Sequence, residues 1–251
     1  MRRSIHTILW GTCVLLLLTA ACGGPEQEPP RVSVPGYKAD LTYDERFETD
    51  ISDWPVEGDG RAALTEAGEL QLLAGREGDG LMLWAPIELS GSFQLEFEVD
   101  ISDSCGTFRI FFCVQESNDG DPLESMESRF GRLNDFTRGA LRNYMITCNT
   151  MNEEGAPQNR SRLRKNPQYL LLSHADSDPC LQGKRHLIDL VKISNRIQFY
   201  IDGGLIHDVR DKGGFDAPVY MTGRLGFHIQ PLDRDASLLL HRVKLYQLNP
   251  I

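Results

Sequence analysis

Short runs in which apolar and polar residues alternate recur along most of this chain, and they constrain its fold more than any other feature. In "NRIQFYIDGGLIHDV", residues 195–209, two such runs lie on either side of an Asp-Gly-Gly turn. Alternation with a period of two residues, interrupted by a glycine turn, predicts a β-hairpin. His207 lies on the same face of the second run as Leu205 and Val209.

Comparable runs fill the rest of the chain. "SFQLEFEVDIS" alternates cleanly, which predicts a half-buried strand, whereas "GTFRIFFCV" is apolar on both faces and predicts a central one. "LRNYMITC", "QYLLLSH", "HLIDLVKIS", "GRLGFHIQ" and "ASLLLHRVKLYQL" continue the series, and no stretch of useful length has the period of a helix. Many short strands separated by Gly, Asn, Asp and Pro turns predict an all-β fold, a β-sandwich.

The first residues read as a targeting segment. Arg2 and Arg3 precede an apolar run, residues 8–18, and "TAACGG" follows, with small residues ahead of Cys22. The pattern predicts a signal peptide over residues 1–21. The cysteine resembles the lipidated residue of bacterial lipoproteins, with ordinary signal-peptidase cleavage as the alternative. Gly23 after it is typical of sorting to the outer membrane, so we expect a lipid anchor at Cys22 there.

Residues 22–40, rich in Pro, Glu and Gly, are expected to form a flexible tether. Residues 41–251 then suit a single β-sandwich domain. Removing residues 1–21 leaves 24 basic against 36 acidic residues, a net charge of −12, which argues against nucleic acid as a partner. Besides Cys22, four cysteines remain, Cys105, Cys113, Cys148 and Cys180. They allow three disulfide pairings that spacing cannot distinguish, and none lies in a CxxC pair.

Several segments resemble known families. "FETDISDWPVEGDG", "LWAPIELSGSFQLEFEVDIS" and the closing "GRLGFHIQ" with "LHRVKLYQL" resemble the concanavalin A-like (laminin-G/glucanase) jelly roll. The middle of the chain, "RNYMITCNTMNEEGAPQNRSRLRKNPQYLLLSH" with "IQFYIDGGLIHDVRD" and "GRLGF", resembles the YesU-like family, domain-of-unknown-function family 1961, over roughly residues 47–248. That resemblance implies a carbohydrate-related function, because family members tend to be encoded among genes related to pectin-type and other acidic polysaccharides.

One stretch of the chain is basic. Residues 129–165 contain eight Arg or Lys and three Asp or Glu, a net charge of +5. Arginine binds carboxylate and sulfate groups bidentately, so the stretch is a candidate docking site for an acidic polysaccharide or oligosaccharide. The alternative is a solvated segment whose cations pair with the acidic remainder of the domain.

The candidate site residues follow from the chemistry that such a ligand needs. Elimination at a uronic acid requires a group that neutralises the carboxylate together with a base and an acid. We predict His207 and Tyr144 as catalytic residues if there is chemistry, although a lone histidine on an apolar face is more often a core residue. The predicted substrate-binding residues are Arg142, Asn143, Arg162, Arg164, Lys165 and His174. We expect Arg142, Tyr144 and the cations of residues 162–165 to gather over one sheet face.

Other chemistry is less favoured. Glu96, Glu98 and Asp100 share a strand face, but the glucanase pattern Glu-x-Asp-x-x-Glu is absent, so a solvated outer face is expected there. Trp84 is expected to fill the core, and "SNDGD", residues 117–121, to form a plain turn. No metal or cofactor is predicted. Two functions remain. The first is a secreted, lipid-anchored protein that binds an acidic polysaccharide and, if it is an enzyme, cleaves it as a lyase or hydrolase. The second is a non-catalytic, laminin-G-like interaction module.

Overall fold

The computed structural model describes residues 30–75, 78–101, 106–148, 160–176, 183–214, 217–232 and 235–251, with residues 156 and 158. It consists of two antiparallel sheets. The first sheet contains β1 (Tyr37–Glu45), β3 (Gly60–Leu64), β4 (Leu70–Ala74), β6 (Phe93–Ile101), β11 (Arg185–Ile193), β12 (Arg196–Ile201), β13 (Gly204–Arg210) and β15 (Ala236–Pro250). Its order is β13-β12-β11-β6-β15-β4-β3, and β1 also pairs with β15.

The second sheet contains β2 (Val56–Gly58), β5 (Leu81–Ser90), β7 (Thr107–Glu116), β8 (Leu141–Cys148), β9 (Ser161–Asn166), β10 (Leu170–Ala175) and β14 (Thr222–Gln230). Its order is β10-β9-β8-β7-β14-β5-β2. The predicted hairpin is confirmed as β12 and β13, and "GTFRIFFCV" forms β7 at the centre of the second sheet. The all-β sandwich prediction is therefore confirmed.

The core lies between the two sheets. Phe97 of the first sheet packs edge-on against Phe227 of the second, with ring centroids 5.1 Å apart. Phe108 stacks beside Phe227 at 6.4 Å. Inward-facing residues on nearly every strand join this cluster because each strand turns alternate side chains toward the other sheet.

A second apolar cluster covers part of the outer face of the second sheet. The segment between β7 and β8 folds into a 3₁₀ helix, Pro122–Ser128, and a short helix α1, Leu133–Thr137. Phe136 of α1 packs on Trp84 and Phe111 of the sheet, with centroid distances of 6.1 and 5.5 Å. Trp84 is fully buried, as expected. The helices are too short for sequence periodicity to reveal them.

The solvated face expected for β6 is wrong at Glu96, whose side chain is buried together with Gln94. Arg31 covers this face: its backbone N–H donates to Glu96 at 2.5 Å, and its guanidinium lies 3.6 Å from Asp189 of β11. Burial raises the pKa of both carboxyl groups. Residues 31–40, which composition assigned to the tether, include Arg31 on this face and the start of β1 at Tyr37.

Candidate functional site

A row of polar side chains crosses the outer face of the second sheet, from the edge strand β10 to β14. Antiparallel register places each member opposite the next on the neighbouring strand, and both side chains of such a pair project from the same face. The row consists of His174, Arg162, Thr147, Arg109 and His228. His174 has 40% of its side chain exposed, whereas His228 is fully buried beneath the segment that precedes α1.

His228 forms the buried end of the row, and its hydrogen bonds hold its own ring in one protonation state. Its Nε2 donates to the backbone oxygen of Gly131 at 3.0 Å, since a carbonyl can only accept. Its Nδ1 therefore accepts from a guanidinium nitrogen of Arg109, 3.3 Å away. Burial and the charge of Arg109 lower the pKa of His228 to about 3. A neutral imidazole thus supports one side of the Arg109 guanidinium.

Three arginines lie close together in β9 and directly before it. Within the strand, Arg162 and Arg164 alternate with inward-facing residues and so project outward together. Arg160 directly precedes the strand. Burial, and then the charges of Arg160 and Arg164, lower the pKa of Arg162. The Nε of Arg160 is buried without a hydrogen-bond partner among the described residues. Arg164 lies 4.0 Å above the ring of Tyr169 and donates to its backbone oxygen.

The basic stretch divides into two groups. Four of its cations form ion pairs with carboxylates, in agreement with the alternative that sequence analysis left open; the pairs are Arg129–Glu57, Arg132–Asp79, Arg142–Asp119 and Lys165–Asp211. By contrast, across the residues whose placement is described, no carboxylate lies within ion-pairing distance of Arg160, Arg162 or Arg164. This second group, together with Arg138, whose guanidinium lies 5.6 Å from the centre of the Tyr169 ring, carries the charge of the stretch that no described carboxylate neutralises.

The expectation that Arg142, Tyr144 and the cations of residues 162–165 gather over one sheet face is wrong. Tyr144 and Lys165 are paired across β8 and β9 and project into the core, opposite to Arg162. Both donate to the same oxygen of Asp211 at 2.6 Å. Residues 162–165 lie in a strand instead of a loop, so successive side chains must alternate between the two faces.

Arg142 projects to the same side as Tyr144. Its guanidinium pairs with Asp119 and lies 5.8 Å above the ring of Tyr220. Asn143 is buried on the outer face, where its amide donates to the backbone oxygen of Phe136 at 2.7 Å. Its own oxygen accepts from Asn166 at 2.7 Å, so Asn143 holds α1 on the sheet.

His207 lies between the sheets, at the edge where β13 passes β9 and β10. Its two ring nitrogens are 2.9 and 3.0 Å from the hydroxyl oxygens of Ser161 and Ser173. Burial, and then the charge of His174, lower its pKa to about 4. Ser161, which contacts His207, and Lys165, which is paired with Tyr144, are both on β9. They are four residues apart, which is about 13 Å along a strand. The two predicted catalytic residues therefore contact separate parts of the interior.

Sequence reasoning missed Arg109 and His228. Arg109 had a usable signal, because it is the one charged residue in an otherwise apolar central strand, "GTFRIFFCV". His228 had none, since a histidine in an alternating strand is common. Cys22, Cys105 and Cys180 lie outside the described residues, whereas Cys113 and Cys148 are buried. In the described part of the chain, no three His, Cys, Asp or Glu side chains converge on a position that could hold a metal ion.

The fold and the polar row define a jelly-roll β-sandwich with a polar outer sheet face. The chain belongs to the family described as Domain of unknown function (DUF1961), whose model matches residues 40–238. Among curated proteins, no sequence is detectably similar. The described helices include none long and apolar enough to cross a membrane.

Solved structures share this fold at low sequence identity. A protein of unknown function with a galectin-like fold from Bacillus subtilis superposes with a TM-score of 0.76 at 19% identity, covering 86% of this chain and 100% of that one. The carbohydrate recognition domain of Emp47p gives 0.58 at 15% identity, with 84% and 97% covered. The κ-carrageenase of Pseudoalteromonas carrageenovora, in complex with an oligosaccharide of κ-carrageenan, gives 0.56 at 12% identity, with 89% and 100% covered. These similarities establish the concanavalin A-like jelly roll.

Proposed function

We propose that this protein binds an acidic polysaccharide on the outer face of its second sheet, over β7 to β10. The observation that carries the proposal is the group of Arg160, Arg162 and Arg164, which lie close together without a carboxylate partner among the described residues. Burial, and then the charges of Arg160 and Arg164, lower the pKa of Arg162, so its neighbours oppose the positive charge of its guanidinium. A carboxylated or sulfated sugar would relieve that repulsion and accept charge-assisted hydrogen bonds.

The polar row extends this surface beyond β9. Thr147 and His174 flank Arg162 and provide hydrogen-bonding groups for sugar hydroxyls, while Arg109 lies one strand beyond Thr147. The fold neighbours support sugar as the ligand class, because they include a carbohydrate recognition domain and a κ-carrageenase with its oligosaccharide. The charge of the row is the reason for proposing an acidic sugar.

The arrangement favours binding over cleavage. His207 and Tyr144 project into the sandwich, on the opposite side of the second sheet from the arginines, and their polar atoms are hydrogen-bonded to Ser161, Ser173 and Asp211. Proton transfer to a glycan on the outer face would need other residues. A non-catalytic binding module therefore fits the described geometry better than a lyase with these two residues in its active site.

For the location of the protein, we propose a lipid anchor at Cys22 in the bacterial outer membrane, with binding on the exported domain. The support is the sequence alone: basic residues, an apolar run and small residues before the cysteine. Replacing Cys22 with Ser should move the protein from the membrane fraction to the soluble fraction. A mutant that stays in the membrane fraction would contradict the proposal.

Binding is tested by titrating the purified domain with polygalacturonate, alginate, κ-carrageenan and neutral glucans. Acidic glycans should bind, and added salt should weaken their binding by screening the charges. Arg162→Ala should reduce affinity about tenfold, because one charge-assisted hydrogen bond is worth about 1.5–3 kcal/mol. Arg196→Ala is the matched control, since Arg196 pairs with Asp208 on the first sheet. If neutral and acidic glycans bind with equal affinity, and Arg162→Ala does not change that affinity, this surface is not the binding site.

A further inference from the structure

A cleft lies at the β2 edge of the same sheet face, on the far side of His228 from the arginines. Its volume is about 590 Å³, within the usual range of ligand pockets. Its lining includes Asp59, Asp79, Glu127, Phe130 and Arg132. The site described above uses none of them.

The loop that carries Phe130 is held on both sides. Arg129 donates two hydrogen bonds of 2.8 Å to the buried carboxylate of Glu57. Gly131 accepts from His228, and its backbone packs so closely on Gly58 that a Cβ atom at Gly131 would lie 2.7 Å from the Cα of Gly58. Both glycines have positive φ angles, so side chains at these positions would be strained as well as crowded.

Phe130 is nevertheless 63% exposed between these two anchors. The guanidinium of Arg132 lies 5.5 Å from the centre of its ring. An aromatic ring displayed on a fixed loop beside a cleft loses little conformational freedom when a ligand stacks on it. The apolar face of a sugar ring is a ligand of that shape.

The charge of the cleft differs from that of the arginine group. Three carboxylates line it, those of Asp59, Asp79 and Glu127, while Arg129 is already neutralised by Glu57. Arg132 pairs with Asp79 at 2.6 Å. Among the described lining residues the remaining charge is negative, which disfavours a uronate or sulfate. Carboxylates do accept hydrogen bonds from hydroxyl groups, which an uncharged sugar residue supplies.

We propose that this cleft is a second subsite, in which an uncharged sugar residue stacks on Phe130 while a charged residue of the same glycan occupies the arginine group. The inference rests on the proposed function and narrows it to glycans that contain both charged and uncharged residues. Five strand spacings separate β9 from β2, about 24 Å, so the ligand must be an oligosaccharide of several residues.

The test compares two kinds of oligosaccharide by calorimetry. In hyaluronan and κ-carrageenan oligosaccharides charged and uncharged residues alternate, whereas every residue of polygalacturonate and alginate oligosaccharides is charged. Phe130→Ala should weaken binding of the alternating glycans about fivefold and leave the fully charged ones nearly unchanged, in line with the size of aromatic contacts. Phe130→Trp should retain affinity. Leu205→Ala is the matched control, because Leu205 is an exposed apolar residue on the first sheet.

Varying the length of the oligosaccharide provides a second test. Affinity for the alternating glycans should rise steeply once the oligosaccharide spans both subsites, and Phe130→Ala should abolish that rise. Unchanged affinity in Phe130→Ala, with a clear loss in Arg162→Ala, would overturn the second subsite and leave the proposed function standing. Absence of wild-type binding to every acidic glycan would overturn both.

Discussion

Arg109 and His228 lie opposite each other on β7 and β14, and a guanidinium nitrogen of the arginine is 3.3 Å from Nδ1 of the histidine. The other ring nitrogen donates to Gly131, so one imidazole connects the polar row to the loop that carries Phe130. The two proposed subsites therefore share a buried neutral histidine. Its protonation would place a second positive charge beside Arg109.

The first prediction concerns that histidine. Because burial and Arg109 lower its pKa to about 3, His228 should stay neutral, with the proton on Nε2, from about pH 8 down to about pH 5. Nitrogen-15 chemical shifts of the imidazole ring would show this, and His228→Gln assigns the resonance. Titration of His228 between about pH 7 and 6, as in the urea-unfolded chain, would contradict the structure.

The second prediction concerns stability in acid. His207 has a pKa of about 4 in the native protein and about 6.5 when unfolded, so the unfolded state takes up its proton first as the pH falls. Its stabilising contribution is complete above about pH 6.5 and is lost as the pH drops to about 4, a change of about 3 kcal/mol. Urea unfolding across this range should show the loss.

His207→Gln is the comparison for that measurement, because glutamine can keep hydrogen bonds to Ser161 and Ser173 but does not titrate. The variant should lose less stability than wild type over the same pH range. Identical pH dependence of the two proteins would mean that folding does not change the pKa of His207.

The third prediction concerns the segment that covers the second sheet. Arg129→Ala should lower the free energy of unfolding by about 3–5 kcal/mol, because it leaves the buried carboxylate of Glu57 without a cation and with only the Trp84 indole as a donor. Arg132→Ala removes an exposed ion pair with Asp79 and should cost about 1 kcal/mol or less. Denaturant titration gives both values. Similar small losses in the two variants would mean that Glu57 is accessible to water.

The fourth prediction concerns Cys113, which is buried and forms no disulfide. Burial raises its pKa to about 12, against the opposing charge of Lys192, so the reactive thiolate is scarce. Native wild-type protein and Cys113→Ser should label equally with a thiol reagent at about pH 8. In urea, the wild type should label at one additional thiol. Faster native labelling of the wild type would place Cys113 at the surface.

The sequence alone was sufficient for the fold class. Period-two alternation separated by glycine turns identified the hairpin of β12 and β13, and continuous apolarity identified β7 as central. Both signals are local, because a strand's side chains alternate between its two faces. The resemblance in the middle of the chain also led to the family that the model match confirms.

The grouping of the site residues depended on the tertiary structure. Sequence analysis counted Arg129, Arg142, Arg162 and Lys165 as one basic stretch, but ion pairs with distant carboxylates neutralise Arg129, Arg142 and Lys165. Strand register then decided which cations share a face and brought Arg109 into line with Arg162. Strand register and ion pairing are set by contacts between residues far apart in the chain, so local sequence does not predict them.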